Sequence, residues 1–120
     1  MKKINKILNK AIEIASLMEG GKHNLCAIIT DKKNRIISIG TNSFVKTSPT
    51  QKHYADILGE PNKIFNHAEI SAISRLPYGS KPFNIYVARV NRKNPLLAKP
   101  CPICTLAIQE IGIKNVYYTT

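Results

Sequence analysis

The sequence predicts an α/β domain with a mixed sheet of at least four strands, in the order α-β-β-α-β-α-β. Apolar residues recur at helical spacing at the start of the chain and then in short β-rich runs bounded by turn residues. Helical stretches separate the later strands, which demands a crossover and therefore at least one parallel pair. A length of 120 residues suits one domain with a real core and is too short for two.

The elements follow in order. Ile4, Ile7, Leu8, Ala11, Ile12 and Ala15 lie three and four apart, marking an amphipathic helix with Lys2, Lys3, Lys6 and Lys10 on its wet side. Gly20-Gly21 ends it. Residues 25–30 are apolar and β-branched and read as a strand. Residues 31–34 form a polar turn, and 35–41 pair back as a hairpin. Residues 42–63 are polar, with Pro49, Gly59 and Pro61 as breakers, and read as a loop holding one helical turn around 54–58. Asn66 caps a helix that starts at His67 and runs to about Leu76, where Pro77 and Gly79 stop it. Residues 84–90 are a third strand and 91–100 a basic loop. Pro102, at a first helical position, opens a helix through Ile111 that Gly112 closes. Residues 116–119 are the fourth strand. There is no internal repeat and no low-complexity tract.

Composition narrows the function. No apolar run approaches the roughly 20 residues of a membrane span. Lys10 and Glu13 interrupt the apolar character of the N-terminal segment, and no small-residue cleavage site follows, so a cytoplasmic protein is expected. The net charge is +11 with only seven acidic residues, a field that attracts nucleotides, nucleic acid or an acidic partner. Part of that charge is compositional, because Lys, Asn and Ile are abundant together. Three cysteines are an odd count, and two of them form a Cys-x-x-Cys pair, which points to metal rather than a disulfide framework.

The chemistry concentrates in His67-Ala68-Glu69 and Pro100-Cys101-Pro102-Ile103-Cys104. Together they supply one imidazole, two thiols and one carboxylate. Zinc takes Cys sulfur and His nitrogen readily, and a catalytic site keeps three protein ligands and one open position. Both motifs fall at helix starts, where the positive dipole end favours thiolates. The prolines flanking Cys101 fix the turn at no cost in helix hydrogen bonds.

These two motifs resemble those of the cytidine deaminase-like superfamily. The resemblance spans nearly the whole chain and implies a three-layer α-β-α fold. It also implies Zn2+ held by His67, Cys101 and Cys104, with Glu69 as the proton shuttle. The implied reaction is hydrolytic deamination of a nucleobase ring, in the first place cytosine in a free nucleoside or nucleotide. Zinc would bring its bound water to nucleophilic strength near neutral pH. Relatives carry a further helix and strand after the fourth strand, and many are homo-oligomers. A redox Cys-x-x-Cys is the competing reading, but it gives His67 and Glu69 no role. A closed structural zinc would take its fourth ligand from Cys26, His23 or His53.

Substrate contacts are less sharply marked. By resemblance Asn42, after the second strand, is the sugar-contact candidate, although Asn is also common where strands end. Phe65 and Tyr86 are candidates for a base pocket, and Tyr86 on a strand equally suits a core. Ala68 and Pro100, inside the two motifs, complete the substrate-contact set. His53 reads more naturally as an exposed loop residue. Arg92, Lys93 and Lys99 lie in a loop longer than the family's usual passage to the Pro-Cys motif; they suit phosphate contact or simple solvation. A deaminase of single-stranded DNA or RNA is the second functional reading, weakened by few aromatic residues for stacking. A non-enzymatic basic module around a structural zinc is the third.

Overall fold

The computed structural model describes residues 2–18, 23–43, 48–60, 67–92 and 94–120. Helix α1 spans Lys2–Ser16 and is followed by strands β1 (Asn24–Thr30) and β2 (Ile36–Thr41). Helices α2 (Pro49–Ile57) and α3 (Ala68–Ser74) come next, then β3 (Asn84–Asn91) and β4 (Asn94–Leu96). Helix α4 (Pro102–Glu110) and strand β5 (Asn115–Tyr118) follow. The Gly20-Gly21 stop and the Pro61 breaker lie outside the described residues.

The sheet runs β2-β1-β3, with β4 and β5 both along the free edge of β3. β1 is antiparallel to β2 and to β3, and β3 is antiparallel to β4 but parallel to β5. The expected parallel pair is therefore β3 with β5, joined through α4. Thr119 joins the two edge strands: its backbone N–H donates to Val87 O, and its hydroxyl donates to Leu96 O while accepting from Arg89 N.

Both faces of the sheet are covered, so the two central strands are buried almost throughout, with period-2 alternation deciding only which layer each residue meets. Cys26, Ile28, Tyr86, Ala88 and Val90 pack beneath α1 against Ile7, Ala11 and Ala15. Ala27, Ile29, Ile85 and Val87 face the opposite way, onto Ala68, Ala72 and Ile108 of α3 and α4. These are the three layers α-β-α. A bulge at Thr30 and Ile36 shifts the register of β2, so Ile29 pairs with Ser38 and Thr30 with Ile36.

One close approach fixes α3. A Cβ on Gly40 would lie 2.6 Å from Ala68 O and 2.8 Å from the Ser71 carbonyl carbon, with Ala72 N nearer still. Only a residue without a side chain lets the α3 backbone settle on β2 there. Ser38 Oγ, two residues earlier on the same face, donates to Ala72 O at 2.6 Å and ties down the same helix.

Three sequence expectations are corrected. The loop expected over 42–63 contains a full helix, α2, rather than one turn. Pro49 is its first-turn residue rather than a breaker, and the Ser48 hydroxyl caps it by accepting from Gln51 N at 3.1 Å. The helix expected to begin at His67 begins at Ala68, with His67 itself in the N-cap position, and ends at Ser74; Asn66 lies outside the described residues. The basic loop expected over 91–100 contains β4, because Asn91 pairs with Asn94 across a two-residue hairpin turn. Arg92 in that turn has φ 50°, the left-handed geometry such a turn demands.

Candidate active site

The site forms where α3 and α4 both begin. His67 precedes the first residue of α3, and Cys101 holds the N-cap position of α4, each with extended backbone. Neither side chain caps its own helix, and the two turn toward one another. Cys104 lies one turn into α4, on the side facing α3, and is buried with Ile70 and Ala107.

His67 Nδ1 lies 3.3 Å from Cys104 Sγ and 3.4 Å from Cys101 Sγ. The three ligand atoms all lie within 4.8 Å of one another. Ideal tetrahedral bond lengths put an imidazole nitrogen and a thiolate sulfur about 3.6 Å apart around one zinc ion. The donor set and its spacing therefore fit zinc. Cys26 belongs to the opposite core half beneath α1, and neither His23 nor His53 joins the cluster among the described residues.

The two thiols share their protons unevenly. The hydrogen bond from Cys104, and then His67, bring the Cys101 thiol down to about 4 against an opposing effect of burial. The same hydrogen bond, with burial, pushes Cys104 far up. The shifts favour loss of the Cys101 proton first, and the thiolate is the form that receives a cation.

Glu69, in the first turn of α3, is 3% exposed. Burial raises its carboxyl above the ordinary range, only partly offset by its own backbone N–H and the His67 charge. A carboxyl placed so beside a metal-type cluster suits a group that must take up a proton and give it back.

A residue missed in the sequence supports the site. Gln51 of α2 is fully buried, and its Oε1 accepts the His67 backbone N–H at 3.2 Å. Tyr54, one turn on, donates to Glu110 Oε2 of α4 at 2.7 Å. Helix α2 thus braces both motif-bearing segments. No sequence signal marked Gln51, because α2 itself was read as loop.

The remaining candidates separate. The Asn42 amide is engaged with backbone: its Oδ1 accepts from Leu25 N at 2.9 Å, and its Nδ2 donates to His23 O at 3.0 Å. Ala68 is buried against the sheet, so only its backbone is available to a ligand. Pro100 is half-buried beside the cluster, and Arg92 is exposed at the β3–β4 turn. Tyr86 is core, stacked on Tyr117 with ring centroids 5.0 Å apart. His53 is exposed on α2. Phe65 and Lys93 lie outside the described residues.

An α/β layered domain with a His-Cys-Cys cluster and a buried carboxylate at two helix starts defines a zinc-dependent hydrolase class. The chain matches the family described as the cytidine and deoxycytidylate deaminase zinc-binding region over residues 1–120, and it belongs to that family. Its cofactor is zinc. Among solved structures, it is similar to a Glu-to-Gln mutant of cytidine deaminase from Mycobacterium tuberculosis, with TM-score 0.60 at 14% identity, covering 95% of this chain and 82% of that one. A Glu-to-Asp mutant of the same enzyme gives TM-score 0.58 at 15% identity, covering 90% and 75%. At that identity the likeness concerns the fold. No curated protein sequence matches the chain. No described helix is long and apolar enough to cross a membrane.

Proposed function

We propose that this chain, acting as one domain over residues 1–120, hydrolytically deaminates a cytosine ring in a free nucleoside or nucleotide. In this reading His67, Cys101 and Cys104 hold the zinc and Glu69 carries protons. The observation that carries it is the pairing of a three-donor cluster with a buried carboxyl two residues from one donor. A structural zinc would need a fourth protein ligand, and the cluster gathers only three among the described residues.

When bound, zinc supplies the Lewis acidity that makes water a nucleophile near neutral pH. Glu69 removes a proton from the attacking water and passes protons to the ring nitrogen and then to the departing ammonia. Burial suits it to both tasks, because it narrows the gap between its protonated and ionised forms. Cys101 and Cys104 offset the metal's charge, and Gln51 orients His67 through its backbone. The same reading includes a cytoplasmic homo-oligomer.

A second reading keeps the chemistry and changes the substrate to single-stranded nucleic acid. Arg92 favours it, exposed on a turn in a conformation that Asn or Gly would hold with less strain.

Zinc-loaded protein should be assayed on bases, nucleosides, nucleoside phosphates and short single-stranded DNA and RNA, beside Glu69→Gln. The proposal expects a cytosine nucleoside or nucleotide to be converted and the variant to lose at least about a hundredfold in rate while keeping zinc. Full activity in the variant would overturn the assignment of Glu69. Conversion of oligonucleotides alone would select the second reading.

A further inference from the structure

We propose that a groove on the far side of the sheet from the His-Cys-Cys cluster binds the phosphate of a nucleotide unit. The groove is a cavity of about 350 Å3 lined by Lys6, Ile7, Lys10, Asn34 and Ile36. It lies between α1 and the β1–β2 turn, over the core half that contains Tyr86. The zinc-type cluster occupies the other layer, with α3 and α4.

Each lining residue has a part. Lys6 and Lys10 are four apart on α1, so their stems rise from one face; both residues are exposed and both line the cavity. Ile7 at 7% exposure and Ile36 at 40% give the groove an apolar floor. The bulge in β2 keeps Ile36 opposite Thr30, whose side lies under α1.

Asn34 supplies the directed contact. Its backbone is left-handed, with φ 60°. Its Oδ1 accepts from Tyr86 OH at 2.6 Å, from Asn84 Nδ2 at 3.2 Å and from Thr30 Oγ1 at 3.2 Å. Three donors converging on one oxygen hold that end of the amide inward. Asn34 also lines the cavity, and its NH2 is the part of the amide outside that three-donor network. The network is continued by Asn115 Nδ2, which donates to Asn84 Oδ1 at 2.9 Å. The cavity lining thus combines one amide held in place by its oxygen, two cations and two isoleucines.

The local charge is not cancelled. Asp31, in the same turn, is engaged with Arg35 at 2.7 Å. Glu13 forms no ion pair with Lys10 among the described residues. Two ammonium groups and one amide N–H match the oxygens of a phosphate, and the isoleucines match the face of an attached ring or sugar. The volume is within the range that holds a small ligand. A free nucleotide and one unit of a single strand share this chemistry.

The test is binding of deoxythymidine 5′-phosphate, whose ring has no amino group for the zinc site to hydrolyse, and of short single-stranded oligo-dT DNA to zinc-loaded protein at two salt concentrations. The variants are Lys6→Ala/Lys10→Ala, Asn34→Asp and, as a charge control on α2, Lys52→Ala. Asn34→Asp keeps the inward acceptor and replaces the NH2 donor with a carboxylate oxygen. At least one ligand should bind the wild type, and both groove variants should weaken it tenfold or more. For DNA the lysine pair should also reduce the log–log salt slope by about 1.4, two contacts' worth. Loss for DNA alone identifies a strand, and loss for the mononucleotide identifies a free nucleotide. No binding by the wild type, unchanged binding in both groove variants, or an equal loss in Lys52→Ala would overturn the proposal.

Discussion

Replacing Gly40 with Ala should dislodge the helix that carries Glu69. The new methyl would stand 2.6 Å from Ala68 O, about 0.8 Å short of ordinary contact, and nearer still to Ala72 N. The obstructing atoms are helix backbone, which cannot swing aside as a side chain would. Gly40 does not have a positive φ, so Ala there would otherwise gain about 0.5–1 kcal/mol from lost chain entropy. The clash must overcome that gain. Overpacking of this kind costs about 1–3 kcal/mol, and here the whole of α3 has to rise from β2. A shift near 1 Å at Ala68 moves both His67 and Glu69, and misplacement of that size can cost about a hundredfold in rate. Urea unfolding should show a lower midpoint, and a chelator should strip zinc faster than from wild type. Gly40→Ser should behave alike, since the clash is at Cβ. Wild-type stability and zinc retention in both variants would refute the close packing of α3 on β2.

Other perturbations address single contacts. Gln51→Ala should remove the acceptor of the half-buried His67 N–H, cost about 0.5–1.5 kcal/mol in urea unfolding and weaken zinc binding. Metal-free protein should be alkylated at Cys101 at a rate nearly flat between about pH 6 and 8, because a thiol held at about 4 is already ionised there; zinc should block the reaction. Burial pushes the Cys26 thiol to about 12, so the folded state holds that proton more tightly than the unfolded chain. Its contribution is complete below the ordinary thiol value near 9 and is lost as pH rises toward 12, so Cys26→Ala should lessen alkaline destabilisation between those values. Tyr86→Phe should cost about 0.5–1.5 kcal/mol in urea unfolding through loss of the bond to Asn34 Oδ1.

The parts legible in the sequence were those whose signal is local. The periodicity of α1, the apolar runs of β1 and β3 and the proline at the start of α4 each reflect a rule that acts over a few residues. The metal motif was legible for the same reason: His67 with Glu69, and Cys101 with Cys104, are short spacings that each serve one helix start. Helix α2 was not legible because its polarity resembles loop, and its stability comes from Gln51 and Tyr54 meeting residues 16 and 56 positions away. Strand β4 was missed because a three-residue edge strand containing Pro95 carries almost no pattern of its own. Asn42 was legible as a strand-end residue; that its amide bonds Leu25 and His23 required the sheet to be assembled first.

The metal environment itself offers the most direct measurement. X-ray absorption at the zinc edge of the purified protein should report two sulfurs, one imidazole nitrogen and one exchangeable oxygen, with one sulfur lost in Cys101→Ser and the imidazole lost in His67→Ala. Four protein ligands with no oxygen, or a zinc shell unchanged by either substitution, would contradict the assignment of a catalytic centre to His67, Cys101 and Cys104.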